Sequence, residues 1–369
     1  MLSQTMSALT YQLADHYDTI VVGAGPAGIL AAACAAARGD VLLLDSASLP
    51  RNKSCGGMLN EYAQSFLAEY GGVPESILRK PRYVHFRYVD WDRGIRRPTE
   101  LSFLNVDRIG FDDWLLTLLP SNVTVAGTTA LAGFCENATG IEARVNTGET
   151  EASIRCRNLI GADGARSSVR RLLGIGSVAT YVTLQDFCRL RSDIEPYFDC
   201  IYMRDIGDSY AYSYVVPKGE VAIVGSVFYP KTRRPHEKHE ATLAALRESL
   251  PQLEESVKRE AAVALCVRSP RDVVPGRGRV LLAGEAGGYM SPTSGEGISY
   301  AMNSGRLAGR AVAENDPASA LPAYVDSSAQ IAANIRRKLR WLPLMESETG
   351  KYLAGFVPTR IVSQITKGL

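Results

Sequence analysis

Tyr17-Asp18-Thr19-Ile20-Val21-Val22-Gly23-Ala24-Gly25-Pro26-Ala27-Gly28 decides the fold of this chain. A short apolar run reads as a buried strand, and it leads into Gly-x-Gly-x-x-Gly and an Ala-rich helix. That arrangement brings backbone N–H groups and a helix N-terminus up to the pyrophosphate of a dinucleotide. The apolar run from Ile29 to Ala37 is the first helix, closed by Gly39, and Val41-Leu42-Leu43-Leu44 is a buried parallel strand ending in Asp45. Together they make one complete βαβ unit. Asp45 stands about twenty residues beyond the loop, where a carboxylate accepts from ribose hydroxyls and disfavours a 2′-phosphate. Its other reading is a solvated acid at a strand end. Far downstream, Val280-Leu281-Leu282-Ala283-Gly284-Glu285-Ala286-Gly287-Gly288 repeats the strand and glycine turn, which narrows "dinucleotide" toward a flavin dinucleotide.

The chain has 369 residues and a formal charge of +2, enough length for about two lobes, and nothing in its composition points to nucleic acid. Seven cysteines without a C-x-x-C pair argue for a reduced, cytoplasmic protein with neither a disulfide framework nor a zinc site. The first sixteen residues lack the pattern of a signal peptide. No later stretch is long and apolar enough to cross a bilayer, so any membrane contact is peripheral.

Asn105 to Leu119 reads as an amphipathic helix with Phe111, Leu115, Leu118 and Leu119 inward, stopped by Pro120. Leu131 to Cys156 reads as a small antiparallel meander, which Asn158 to Gly164 closes with a further strand. Val178 to Val267 is rich in aromatic and β-branched residues and carries a polar helix from about His236 to Arg259, a separate sheet-based lobe. Arg279 to Val312 returns to strand, glycine loop and helix. The expected organisation is therefore α/β. Residues 1–75, 103–176 and 269–329 form a nucleotide-binding Rossmann domain of discontinuous segments. Residues 76–102 and 177–268 form a mixed-sheet substrate domain, and 330–369 a basic helical tail with Arg336, Arg337, Lys338 and Arg340 beside Trp341 and Leu342. His236-Glu237-Lys238-His239 has metal-pair spacing but lacks a third ligand, so a solvated helix face is expected and no metal.

Several motifs in one order resemble the group A flavoproteins, which include the aromatic hydroxylases of the p-hydroxybenzoate hydroxylase kind and the geranylgeranyl reductases. Asn158-Leu159-Ile160-Gly161-Ala162-Asp163-Gly164-Ala165-Arg166 resembles their Asp-Gly motif, and Gly284-Glu285 their Gly-Asp motif, with Glu one methylene longer than the usual acid. Arg108 matches the arginine sent from a helix start toward the cofactor; its other reading is a surface salt bridge. The resemblance implies a glutathione-reductase-type fold and one FAD. It places Gly23, Gly25, Pro26, Ala27, Gly28, Asp45, Ser46, Lys53, Cys55, Gly56, Gly57, Arg108, Asp163, Gly164, Gly284, Glu285, Pro292, Gly295, Glu296, Gly297 and Ile298 around that cofactor. In Ser291-Pro292-Thr293-Ser294-Gly295-Glu296-Gly297-Ile298 the glycines let backbone approach a flat ring, and the following helix start suits negative charge on the reduced flavin.

Ser54-Cys55-Gly56-Gly57 and Tyr212-Ser213-Tyr214-Val215-Val216-Pro217 resemble elements of the geranylgeranyl reductases, with Tyr214 and Val216 replacing a Trp and a Phe. Cys55, Tyr212 and Tyr214 are thus the candidate catalytic residues; a buried Tyr pair is otherwise core, and a free Cys is otherwise an inert buried thiol. The implied activity is reduction of FAD by transiently bound NAD(P)H, followed by reduction of a carbon–carbon double bond in an apolar or amphiphilic substrate. Two alternatives stand beside it. One is a monooxygenase hydroxylating an aromatic ring, free or peptide-borne, including a tryptophan of a partner protein in quinone-cofactor maturation. The other is an FAD-free prenyl-binding escort. The basic tail reads either as a site for an anionic membrane surface or partner, or as a solvated helix.

Overall fold

The computed structural model describes residues 13–148, 150–203, 210–354 and 356. The N-terminal reading over 1–12, and the part of the basic tail at 355 and 357–369, lie outside the described residues. Strands Thr19–Val22 (β1), Val41–Leu44 (β2), Val123–Ala126 (β6), Asn158–Gly161 (β10), Gly276–Arg277 (β16) and Val280–Leu282 (β17) form a six-stranded sheet in the order β16-β17-β10-β1-β2-β6. Only β16 runs antiparallel to its neighbour. β1, β2, β10 and β17 are buried along their whole length, so they read as continuous apolar runs rather than as alternation.

Helix α1 (Pro26–Ala35) follows β1 with Pro26 in its first turn, and lies under α6 (Ile298–Glu314). Small residues make that contact close. A Cβ on Gly305 would come 2.1 Å from the carbonyl oxygen of Ala27, and one on Gly309 2.3 Å from that of Ala31. The opposite face of the sheet is covered by the antiparallel meander of Ala130–Glu136 (β7), Ile141–Asn146 (β8) and Glu151–Cys156 (β9). β10 does not close this meander as expected. It pairs with β1 and β17 instead, where Leu159 and Ile160 are buried in cores on opposite faces of the sheet.

The second sheet has eight strands: Met58–Leu59 (β3), Leu78–Asp90 (β4), Ile95–Val106 (β5), Thr180–Leu190 (β11), Tyr197–Tyr202 (β12), Tyr210–Pro217 (β13), Val221–Phe228 (β14) and Leu253–Leu265 (β15). Their order is β15-β11-β14-β13-β12-β4-β5-β3, mixed because β12 and β4 are parallel. One face packs on helix α5 (Pro235–Ser249) through Leu243 and Leu246. The expected polar helix is therefore shorter: it stops ahead of Pro251, and residues 253–259 enter β15. His239 is not on a solvated face, being fully buried with Nδ1 2.7 Å from Ser226 Oγ.

The helix expected from Asn105 begins later, at Arg108, as α3 (Arg108–Leu116). Asp107 is its N-cap, while the Asn105 amide is buried in β5 and donates to the carbonyls of Pro81 and Pro217, 2.9 Å each. The remaining helices are α2 (Glu61–Ala68), α4 (Ser168–Leu172), α7 (Ala320–Leu339), α8 (Leu342–Glu346) and α9 (Glu348–Ala354). Ile331, Ile335 and Lys338 share the buried face of α7, so Lys338 is withdrawn from the expected basic surface. Among the described residues no helix is long and apolar enough to cross a membrane.

Candidate active site

One large cavity runs from the β1–α1 loop to the open face of the eight-stranded sheet. At the loop end, Gly25, Pro26 and Ala27 line it directly, whereas Gly23 and Gly28 lie behind and set the backbone. Gly23 takes φ +103°, and a Cβ there would meet the Ala162 oxygen at 2.5 Å. A Cβ on Gly28 would sit 1.7 Å from the Gly23 oxygen, so the helix start can press on the loop only without a side chain. The guanidinium of Arg51 lies against bare Gly25, within 2.2 Å of the place a Cβ would occupy. Its Nε is buried without a hydrogen-bond partner, 3.4 Å from Asp112. A side-chain-free cradle beside an unsatisfied guanidinium N–H fits a diphosphate.

Asp45 is buried at the end of β2, with Oδ2 accepting from Ala24 N at 2.8 Å and Oδ1 from Ala47 N at 2.9 Å. It holds the glycine loop in shape, and neither it nor the exposed Ser46 is among the residues lining the large cavity. Asp163 also lies behind the wall formed by Ala162 and Gly164. Its carboxylate accepts from Ser167 Oγ, 2.5 Å, and from Ser168 N and Val169 N, 2.6 and 3.1 Å, at the start of α4. Asp163 therefore positions the Gly164 turn.

Arg108 lines the middle of the cavity and is gripped by Asp112, with Nε–Oδ1 at 2.7 Å and Nη2–Oδ2 at 3.0 Å. Burial works against its charge, but the Asp112 carboxylate raises its pKa above the ordinary arginine value. Glu285 accepts from Lys53 Nζ, 2.7 Å, and from Leu265 N, 2.9 Å. Burial would raise the Glu285 carboxyl, yet Lys53 brings it below its usual value, so it stays ionised. Arg51, Lys53 and Arg108 thus supply three cations along one side.

At the far end, Thr293 to Ile298 line the cavity, except that buried Pro292 stands just outside it. Glu296 accepts from the backbone N of Ser299 at 2.8 Å and from its hydroxyl at 2.6 Å, steadying the start of α6, and burial raises its carboxyl. Facing this loop is an aromatic wall from the second sheet. Phe86 meets Phe198 with centroids 5.5 Å apart, Phe198 meets Tyr214 at 5.9 Å, and Tyr214 meets Tyr212 at 6.3 Å. The Tyr214 hydroxyl donates to Gln185 Oε1 at 3.0 Å, and the Tyr212 hydroxyl stands 3.3 Å from where a Cβ on Gly295 would be. Burial raises both phenols, which stay protonated. Cys55, Gly56 and Gly57 form the edge between loop and wall, with Cys55 Sγ accepting from Gly57 N at 3.4 Å. Arg51, Gln185, Phe86 and Phe198 escaped the sequence reading. Only Arg51 had a local signal, as a cation shortly after the second strand of the βαβ unit.

This chain is 29% identical over 320 residues to protein CbrA of Escherichia coli O9:H4 (strain HS), covering 84% of this chain and 85% of that protein. It is 28% identical over 335 residues to protein CbrA of Shigella dysenteriae serotype 1 (strain Sd197), covering 88% of this chain and 92% of that protein. Among solved structures, a geranylgeranyl bacteriochlorophyll reductase-like protein from Thermoplasma acidophilum superposes with TM-score 0.80 at 20% identity, covering 96% of this chain and 92% of that one. The flavin-dependent brominase Bmp2 superposes with TM-score 0.70 at 18% identity, covering 95% and 94%. At such identities the likeness speaks for the fold. Residues 16–339, which include the glycine cradle, Arg108, the Asp163-Gly164 turn and the Gly284-Glu285 loop, match the FAD binding domain family, and the chain belongs to it: a FAD-dependent flavoenzyme of the oxidoreductase or monooxygenase type.

Proposed function

We propose that NAD(P)H reduces this protein and that the electron pair passes, as a hydride, to a carbon–carbon double bond of an apolar or amphiphilic substrate. The observation that carries the proposal is the wall of Phe86, Phe198, Tyr212 and Tyr214 opposite the Thr293–Ile298 loop, which offers aromatic area rather than charge. Bound FAD supplies the acceptance and donation of hydride. The chain's own residues do the remainder. Arg51, Lys53 and Arg108 offer donors to phosphate, and the N-terminus of α6 favours negative charge in front of it. Hydride addition to one carbon requires a proton on the other. In this proposal Tyr212, a half-buried protonated phenol on the wall, gives it, with the Cys55 thiol as the other donor at that edge. Tyr214, tied to Gln185, holds the substrate face. The proposal includes a second partner, an anionic surface met by exposed Arg336, Arg337 and Arg340 beside exposed Trp341.

The test is anaerobic. Protein reduced with one equivalent of NADPH under argon is mixed with a geranylgeranyl lipid or with free aromatic acids. Reoxidation by the lipid, with one double bond lost per NADPH, is the expected result. Reoxidation that requires oxygen, with labelled oxygen appearing in an aromatic product, would replace this reading with the hydroxylase.

A further inference from the structure

A second cavity opens on the same face of the eight-stranded sheet as the aromatic wall. Along β11, Thr183 and Gln185 face the first cavity, and Gln185 and Phe187 the second. Along β14, Val227 lines the first and Ile223 the second. Lys53, Cys55, Arg108 and Gln185 line both, so the two cavities share a boundary made of these side chains.

The chemistry changes across the junction. The second chamber is lined by six cationic side chains, Lys53, Arg79, Lys80, Arg108, Lys218 and Lys258, against three carboxylates, Asp107, Glu220 and Glu260. Two of these cations owe part of their pairing to acids outside the lining, Lys53 to Glu285 and Arg108 to Asp112. Lys218 is the most telling. It is 9% exposed, and its ammonium donates to the carbonyl oxygens of Gly57 and Val106, 3.0 Å each, with no carboxylate among these partners. Two of its three donors are thus used, on neutral acceptors. A buried ammonium whose hydrogen-bond partners are both neutral is expensive to keep unless a ligand completes it.

We propose that this basic chamber binds the phosphate or diphosphate of a reactant whose ring or chain passes the Cys55–Gln185 junction into the aromatic chamber. The inference rests on the proposed function, in which a second molecule must reach the FAD. Only one complete glycine-loop βαβ unit is present, and its cradle serves the FAD, so phosphates of any other reactant need donors elsewhere. Lysines act there as point charges for phosphate oxygens, and Gly219, at φ +78°, belongs to the turn between β13 and β14 from which the Lys218 ammonium reaches Gly57 and Val106.

The experiment uses the full chain loaded with FAD, titrated calorimetrically with inorganic pyrophosphate, NADPH, NADH and a long-chain alkyl diphosphate. Pyrophosphate is expected to bind saturably, and Lys218→Met to weaken it about tenfold or more, the size of one lost charge-assisted bond. Lys80→Gln with Lys258→Gln, both exposed in part, weakens it without touching the interior and keeps the test decisive if Lys218→Met misfolds. Burial lowers Lys218 to about 7, with Cys55, Asp107 and Arg79 facing it, so binding at pH 8 should also draw in a proton, seen as heat that varies with buffer. NADPH weakened in step with pyrophosphate identifies the coenzyme as the ligand. The alkyl diphosphate weakened while NADPH is unchanged identifies the second substrate. Pyrophosphate affinity equal in all variants overturns the chamber. Flavin absorbance on the same samples separates the two levels: a yellow protein that ignores pyrophosphate rejects the chamber alone, and a wild-type chain that holds no FAD rejects the reading beneath it.

Discussion

Single residues in the glycine cradle leave no room for a methyl group. Gly28→Ala would put a Cβ 1.7 Å from the Gly23 oxygen, and the relief of that clash should cost about 1–3 kcal/mol and loosen the loop. Purified Gly28→Ala protein is expected to melt lower and to emerge from gel filtration with little flavin absorbance. On the wall, Tyr212→Phe keeps the ring and removes the proton. Anaerobic turnover should fall about tenfold or more with little change in KM, in keeping with the loss of one acid catalyst; an unchanged kcat would move the role to Cys55. Tyr214→Phe should lower stability by about 1 kcal/mol through the lost bond to Gln185. The turn at the glycines, the strand end at Asp45 and the helix start at Arg108 were readable because their demands are local. Asp163 was readable as part of a turn motif, and the direction of its carboxylate, toward the start of α4, was not. Gln185 carries no local signal at all, because its role comes from a tyrosine on another strand.

Elements decide what surrounds those residues. α5 buries His239 against β14, and burial lowers its pKa to about 4, only partly opposed by Asp186. The native imidazole is then neutral at pH 6 while the unfolded chain binds the proton. Stability is present above the ordinary value of about 6.5 and is lost as pH falls from there toward 4, by up to about 1.4 kcal/mol per pH unit. Melting temperatures followed from pH 7 to 5 should fall more steeply in wild type than in His239→Gln. At the end of α7, Arg336, Arg337 and Arg340 are exposed near Trp341 and Leu344, while Lys338 turns inward to Ser291 and Tyr300. Flotation with anionic vesicles should show binding that weakens with salt and in the triple Arg→Gln variant, at about 1 kcal/mol per charge. Equal flotation with neutral vesicles would remove the anionic surface from the proposal. Periodicity found these helices but not their limits: α3 starts where Asp107 can cap it, and α5 stops ahead of Pro251.

At the scale of the whole molecule, the cavity joins both sheets, from Gly25 beyond β1 to Tyr214 on β13, so a ligand filling it ties them together. Free FAD at about one hundred times its Kd should stabilise the native chain by about 2.7 kcal/mol. Calorimetric melts with increasing FAD check this, and a melting temperature indifferent to the cofactor would contradict it. Family membership sets aside the FAD-free escort. The sequence by itself determined the cofactor and the nucleotide half of the fold. A strand, a glycine turn and a helix start are specified by steric and hydrogen-bonding needs that span only a few residues. The tertiary structure alone decided how Phe86 and Phe198 join the two tyrosines in a wall, and where the second chamber lies. Phe86 and Phe198 touch because β4 and β12 pair in parallel across more than a hundred residues of chain, and Lys80, Lys218 and Lys258 converge because strand order brings three separate turns and strands to one side of a sheet. Such contacts depend on which strands become neighbours, a choice made by burial of whole faces rather than by any short run of residues.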